Sequence, residues 1–236
     1  MNDRIIVPLD VESPAAAQGI VDLLGPDTPF YKVGLELYTA SGPGFVSALR
    51  DQDKDVFLDL KLHDIPNTVA RAVERAADLG VRFLTVHGTG GPRMIEAAAT
   101  AAGGRLTLLA VTVLTSLDRS ELSGVWGREV VSLETEVVRI ARSSMEAGAG
   151  GVVCSPREAR AVSDVIPSGS EVVTPGVRFQ DGALDDQRRV ATPAAAFRAG
   201  ATRLVMGRPI TRASDPAAAF RRAVEEARSA MAGVSS

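Results

Sequence analysis

Cysteines, histidines and aromatic residues are scarce in this chain. Cys154 is the one cysteine among 236 residues, so no disulfide can close within the chain, and a reducing cytoplasm is the expected compartment. His63 and His87 are the two histidines and lack neighbouring ligand spacing, which is poor ground for a zinc site. Aromatics make up 4% of the sequence, too few for a surface that stacks the bases of single-stranded nucleic acid. Neither sign of charge dominates: Lys and Arg number 26, Asp and Glu 29, and the net charge is -3. That balance excludes bulk attraction to nucleic acid or to an anionic membrane, so any anionic ligand must be held by local groups. No apolar run reaches bilayer-spanning length, and the start, Met-Asn-Asp-Arg-Ile-Ile-Val-Pro, carries no expected signal peptide. Ala, Val and Leu are plentiful, which suits aliphatic strands covered by Ala-rich helices.

Alternation and turn signals predict strands over 4–10, 30–37, 55–62, 82–87, 105–114, 151–154, 171–175 and 203–206. Helices are expected over 44–51, 67–79, 92–102, 133–147, 156–165, 193–199 and 216–231, and one more from Ser13-Pro14, a cap and first-turn pair, to about Gly25. Segments 115–128 and 176–191 read as loops. Eight strand-then-helix units without a composition break imply a parallel sheet closed on itself, a single-domain TIM (β/α)8 barrel over residues 1–236. No GxGxxG follows the first strand, which weakens a dinucleotide-binding fold, and the units are too unlike for a short-period repeat.

The chemistry concentrates in Asp55-Val-Phe-Leu-Asp-Leu-Lys-Leu-His-Asp64. On a strand, Phe57, Asp59 and Lys61 share one face, and Leu58, Leu60 and Leu62 the other. Asp59 and Lys61 can be read as an ion pair at a sheet margin, with Asp64 as a cap for the helix near Pro66. A catalytic site explains more. In a barrel of this type the site lies at the C-terminal strand ends, and Asp10, Lys32, Asp59, Lys61, His87, Thr115, Arg178 and Arg208 all fall there. Arg178 and Gln187 sit in the loop after the seventh strand, and Gly207-Arg208-Pro209-Ile210 follows the eighth. Barrels often bind phosphate where these two loops meet. Gly207 would let the backbone approach an anion, and the Arg208 guanidinium can bond two phosphate oxygens. Alternation turns His63 away from Asp64, which favours a structural role, while His87 ends a strand at the active face.

With those residues in view, the chain resembles the orotidine 5′-monophosphate decarboxylase family, in the form common in bacteria. The marks run in order from Asp10 to Ile210: Pro8-Leu9-Asp10, Lys32-Val33-Gly34, Asp59-Leu60-Lys61-Leu62-His63-Asp64-Ile65-Pro66-Asn67-Thr68, Val113-Leu114-Thr115-Ser116, Pro175-Gly176-Val177-Arg178, Asp186-Gln187 and Gly207-Arg208-Pro209-Ile210. The run Asp59–Thr68 is highly specific, and no position the family uses for catalysis departs from its pattern. The resemblance implies a homodimer that converts orotidine monophosphate to uridine monophosphate and CO2 without metal or organic cofactor. It implies that Lys61 delivers a proton to C6 of the pyrimidine, that Asp59 sits against the substrate carboxylate, and that Asp64 reaches the neighbouring subunit's site. Lys32 would complete an alternating array of charge. Asp10 and Lys32 would meet ribose hydroxyls, Thr115 the pyrimidine edge, and Arg178, Gln187 and Arg208 the phosphate. The run from Leu60 and Leu62 through His63, Ile65, Pro66, Asn67 and Thr68 would lie along the substrate.

Three rivals remain at this point. A Mg2+-dependent sugar-phosphate decarboxylase or aldolase, typified by 3-keto-L-gulonate 6-phosphate decarboxylase, resembles the Asp-x-Lys-x-x-Asp core but has an acid where Lys32 stands. A Schiff-base aldolase would act through Lys61, yet an amine flanked by acids is a poor nucleophile. A silent protein that only binds nucleotide phosphates would have no use for the intact charged set.

Overall fold

The computed structural model describes residues 1–180 and 191–232. Eight strands, β1 (Ile5–Pro8), β2 (Phe30–Gly34), β3 (Asp55–Leu62), β4 (Phe83–His87), β5 (Thr107–Val111), β6 (Gly151–Val153), β7 (Glu171–Pro175) and β8 (Arg203–Val205), pair in parallel with their sequence neighbours. β8 closes onto β1 through Ile5–Leu204 and Ile6–Val205, so the sheet is the expected closed barrel. The helices among the described residues are α1 (Pro14–Leu24), α2 (Leu35–Ser41), α3 (Pro43–Asp51), α4 (Pro66–Asp78), α5 (Pro92–Ala102), α6 (Arg119–Trp126), α7 (Leu133–Glu146), α8 (Ala159–Ser163), α9 (Pro193–Arg198), α10 (Arg208–Thr211) and α11 (Pro216–Ala232). None of them is long and apolar enough to cross a membrane.

Local chemistry accounts for the helix starts. Ser13 accepts the Ala16 N–H at 3.3 Å and Pro14 occupies the first turn of α1, as its sequence predicts. α4 likewise begins on a proline and buries Val69, Val73, Ala76 and Ala77 along one stripe.

Strand alternation divides the apolar residues between two layers. Leu58, Leu84 and Leu108 join the larger core between strands and helices. Ile6, Phe30, Phe57, Phe83, Leu109, Val173 and Val205 form a separate cluster inside the barrel. Its rings pack at angles, Phe30 5.3 Å and Phe57 6.0 Å from Phe83. Below them Arg203 and Arg82 lie over the Phe83 ring at 5.3 and 5.7 Å. Arg203 is buried and bonds Glu171 at 2.9 Å and Asp3 at 3.0 Å, and Arg82 bonds Asp55 at 2.7 Å. The N-terminal end of the barrel is therefore sealed by paired charge over aromatic rings. The open end is left for chemistry.

Several elements differ from their sequence patterns: β1 stops at Pro8 and β5 at Val111, the helix expected over 156–165 shortens to α8, and the short α10 follows β8 where no helix is expected. The strand expected over 30–37 stops at Gly34, and Leu35 begins α2. The segment 115–128, expected as a loop, contains α6, started by a capping box in which Asp118 accepts the Glu121 N–H and Glu121 accepts the Asp118 N–H.

Candidate active site

The C-terminal ends of β1, β2 and β3 bring four charged side chains into one row. Lys32 Nζ donates to Asp10 Oδ1 at 2.8 Å and lies 3.5 Å from Asp59 Oδ2. Lys61 Nζ donates to the same Asp59 oxygen at 2.8 Å. Lys32 and Asp59 are buried, Lys61 is half-buried and Asp10 exposed. Burial pushes the Asp59 carboxyl up, but Lys32, Lys61 and the hydrogen bonds from Lys61 and Thr85 outweigh it and hold Asp59 below its ordinary value. With two cations and the Thr85 hydroxyl as partners, the buried Asp59 charge is not left unpaired by the loss of one cation.

Gly34, at the end of β2, leaves room for this row. A Cβ there would stand 3.1 Å from Lys32 Nζ and 3.3 Å from Asp10 Oδ1.

β3 delivers Asp59 and Lys61 by an irregular path. Lys61 has φ 50°, a left-handed conformation rare in residues with side chains. The β3–β4 register shifts between Leu58 and Leu62 at the same place. Thr85 of β4, which the sequence alone does not single out, faces this irregularity. Its hydroxyl donates to Asp59 Oδ1 and accepts the Lys61 N–H, both at 2.9 Å. Alternation along β4 puts Phe83, Thr85 and His87 on one face, which was the available signal.

Two adjoining cavities open onto the charged row. One, of about 160 Å³, is lined by Lys32, Phe57, Asp59, Lys61 and Thr115 together with Val111, Val113, Leu114, Val153, Pro175 and Val205. Apolar walls around a few convergent charges suit a flat, partly polar ring. The second, of about 250 Å³, is lined by Asp10, Lys32, Arg178, Arg208 and the Gly176 and Gly207 backbones, with Pro8, Pro175, Val177, Val205 and Pro209. Two guanidiniums and a lysine beside glycine backbone suit an anion such as phosphate. Gly207 is also where the backbone runs close to β1, since a Cβ there would come within 3.0 Å of Pro8 Cγ. The two cavities share Lys32, Pro175 and Val205.

The remaining expected residues lie apart from these walls. Leu60 and Leu62 are half-buried against the outer aliphatic core. His63, Asp64, Ile65, Asn67 and Thr68 are exposed, Pro66 is half-buried at the start of α4, and none lines either cavity. Asp64 accepts the Ile65 N–H at 2.6 Å and pairs with no cation among the described residues. The His63 ring lies 5.3 Å from His87. Burial lowers the His87 pKa, reinforced by His63 and Lys61 and opposed by Asp59. Gln187 lies outside the described residues.

With this geometry established, similarity to known proteins becomes informative. The sequence profile of the "Orotidine 5'-phosphate decarboxylase / HUMPS family" matches residues 3–223. The orotidine 5'-phosphate decarboxylase of Anaeromyxobacter sp. (strain K) is 50% identical over 222 residues, covering 93% of this chain and 96% of that protein. The enzyme of the same name from Moorella thermoacetica is 48% identical over 227 residues, covering 93% and 90%. The crystal structure of orotidine 5'-phosphate decarboxylase from Lactobacillus acidophilus superposes with a TM-score of 0.86 at 36% identity, covering 95% of this chain and 99% of that one.

Proposed function

Because the chain belongs to the orotidine 5'-phosphate decarboxylase / HUMPS family, we propose that it converts orotidine 5′-monophosphate to uridine 5′-monophosphate and CO2 in pyrimidine nucleotide biosynthesis. The observation that carries this reading is the joined pair of cavities, one end cationic and the other apolar around an ammonium–carboxylate–ammonium row.

The chemistry follows from that row. As the C6–carboxylate bond breaks, the electron pair stays on C6, where the ring delocalises it poorly. A site accelerates the step only if it favours this carbanion over the starting carboxylate. The Lys61 ammonium, held by Asp59, is a preorganised positive charge and needs little reorganisation. It then transfers a proton to C6, neutralising the carbanion as a C6–H bond, and regains one from solvent. Asp59, held below its ordinary value, remains an anion beside the substrate carboxylate and disfavours the ground state. Asp10 and Lys32 meet the ribose hydroxyls and Thr115 the pyrimidine edge. Arg178, Gln187 and Arg208 grip the phosphate, and that remote binding energy orients the ring.

In this reading the enzyme is a homodimer of the reducing cytoplasm, and Asp64 enters the partner's site with the rest of its exposed run. The exposure of Asp64 and of Ile65, at 66%, supports a surface that another subunit covers. The Mg2+-dependent rival is disfavoured because Lys32 stands where that enzyme has an acid, and its ammonium, 2.8 Å from Asp10 and 3.5 Å from Asp59, would repel a cation. The test is to add orotidine 5′-monophosphate to protein dialysed against a chelator and follow the pyrimidine absorbance. Formation of uridine 5′-monophosphate is expected. Turnover that returns only with Mg2+ would favour the rival.

A further inference from the structure

Between the paired residues Leu58–Leu84 and Leu62–Val86, three residues of β3 (Asp59, Leu60 and Lys61) stand opposite one residue of β4, Thr85. Extra residues in one strand leave ladder groups without their usual partners. The Thr85 side chain stands in for the missing backbone. Its oxygen accepts the Lys61 N–H at 2.9 Å, and its proton goes to Asp59 Oδ1 at 2.9 Å. One hydroxyl is thus acceptor toward one charged residue and donor toward the other, within what a threonine can offer. Both bonds have consequences beyond themselves. The first holds Lys61 at φ 50°, a conformation that a residue with a side chain keeps only where its surroundings enforce it. The second anchors Oδ1, so that Oδ2 is the oxygen directed at Lys61 Nζ, 2.8 Å away, and Lys32 Nζ, 3.5 Å away.

We propose that Thr85 is a positioning residue for decarboxylation, setting through these two bonds the place of the Lys61 ammonium. The proposal rests on Lys61 as the proton donor. Thr85 is fully buried and lines neither cavity, so it acts through its neighbours rather than on substrate.

The competing view is that Thr85 is a β-branched filler in a tight strand. Val would then serve as well, and Ser, which loses a methyl group, would be the more damaging change. Positioning gives the opposite order. Thr85→Val is expected to lower kcat by roughly 10–100-fold. KM for orotidine 5′-monophosphate and Kd for uridine 5′-monophosphate should stay within about threefold, since the binding groups are untouched. Thr85→Ser is expected to keep most of kcat. Should Thr85→Val fold poorly, Thr85→Ser against Thr85→Ala makes the same comparison, since both lose the methyl and only Ser keeps the hydroxyl. A Val variant as active as wild type, or an Ala variant equal to Ser, overturns the proposal.

A crystal structure of Thr85→Val supplies a readout independent of turnover. Lys61 should leave either its left-handed backbone or its contact with Asp59, and retention of both overturns the proposal whatever the rates. A wild type inactive on orotidine 5′-monophosphate would sink the functional reading instead, and the crystal would still decide whether Thr85 holds the pair.

Discussion

Lys61 meets Asp59 at 2.8 Å, two positions away along the same strand, from a backbone turned to φ 50°. Lys61→Ala is expected to lower decarboxylation by roughly 10²–10⁴-fold or to background. The melting temperature should stay within a few degrees of wild type, because Asp59 keeps Lys32 and Thr85 as partners. Stopped-flow or spectrophotometric assays and a thermal melt check both halves. Substantial turnover in this variant removes Lys61 from the chemistry.

Arg208 lines the wider, cationic cavity and not the ring cavity. Hydrogen bonds to a charged group contribute about 1.5–3 kcal/mol, so Arg208→Ala should weaken uridine 5′-monophosphate binding by roughly 10–100-fold. Uridine, which lacks the phosphate, should lose almost nothing. Calorimetric titration of both ligands decides the matter, and equal losses would place Arg208 elsewhere.

At the sealed end of the barrel, Asp3 connects the chain start to Arg203 at 3.0 Å. Burial raises the Asp3 carboxyl, but Arg203 and the N-terminal amine reverse this and bring it from 3.8 to about 2. A carboxyl depressed in the folded state stabilises fully above its unfolded pKa, and that contribution is lost as pH falls through the folded value. Asp3→Asn should therefore lower the melting temperature at pH 7 by roughly 1–3 °C, a small effect because the group is partly exposed. The gap to wild type should close as pH falls from 4 to 2. Differential scanning calorimetry across that range that finds a constant gap would show that the pair is not the cause.

Subunit sharing predicts complementation. Asp59→Ala and Asp64→Ala chains should each be nearly inactive, and mixtures refolded together should recover a fraction of wild-type activity through sites that combine two intact contributions. Mixtures no better than their components would argue that Asp64 serves its own chain.

Much of the architecture was legible in advance, because eight parallel strands followed by Ala-rich helices leave a period-two signal broken by caps. Where the signal failed, the reasons are local. Leu35-Glu-Leu-Tyr38 alternates like a strand, yet β2 ends at the extended Gly34, which is the N-cap of α2, and Leu35 begins the helix. α6 is announced by Asp118 and Glu121 at capping-box spacing, a cue too short to stand out in a polar segment. The charged row could be listed from strand ends, but its geometry could not. Alternation put Asp59 and Lys61 side by side correctly, yet it assumed an even strand, whereas three residues face one at Thr85. A one-dimensional pattern carries no information about which residue of the next strand meets an irregularity. Thr85 was therefore invisible as a partner until β3 and β4 were placed together.

Lys32, Pro175 and Val205 form a wall common to both hollows, so a ring in one and an anion in the other are neighbours by construction. Two weak fragments, each occupying one compartment, should gain strongly when tethered by a spacer of sugar length, because capture of the first fixes a high effective concentration of the second. For inhibitor design the length and stiffness of that tether then matter more than further decoration of either fragment.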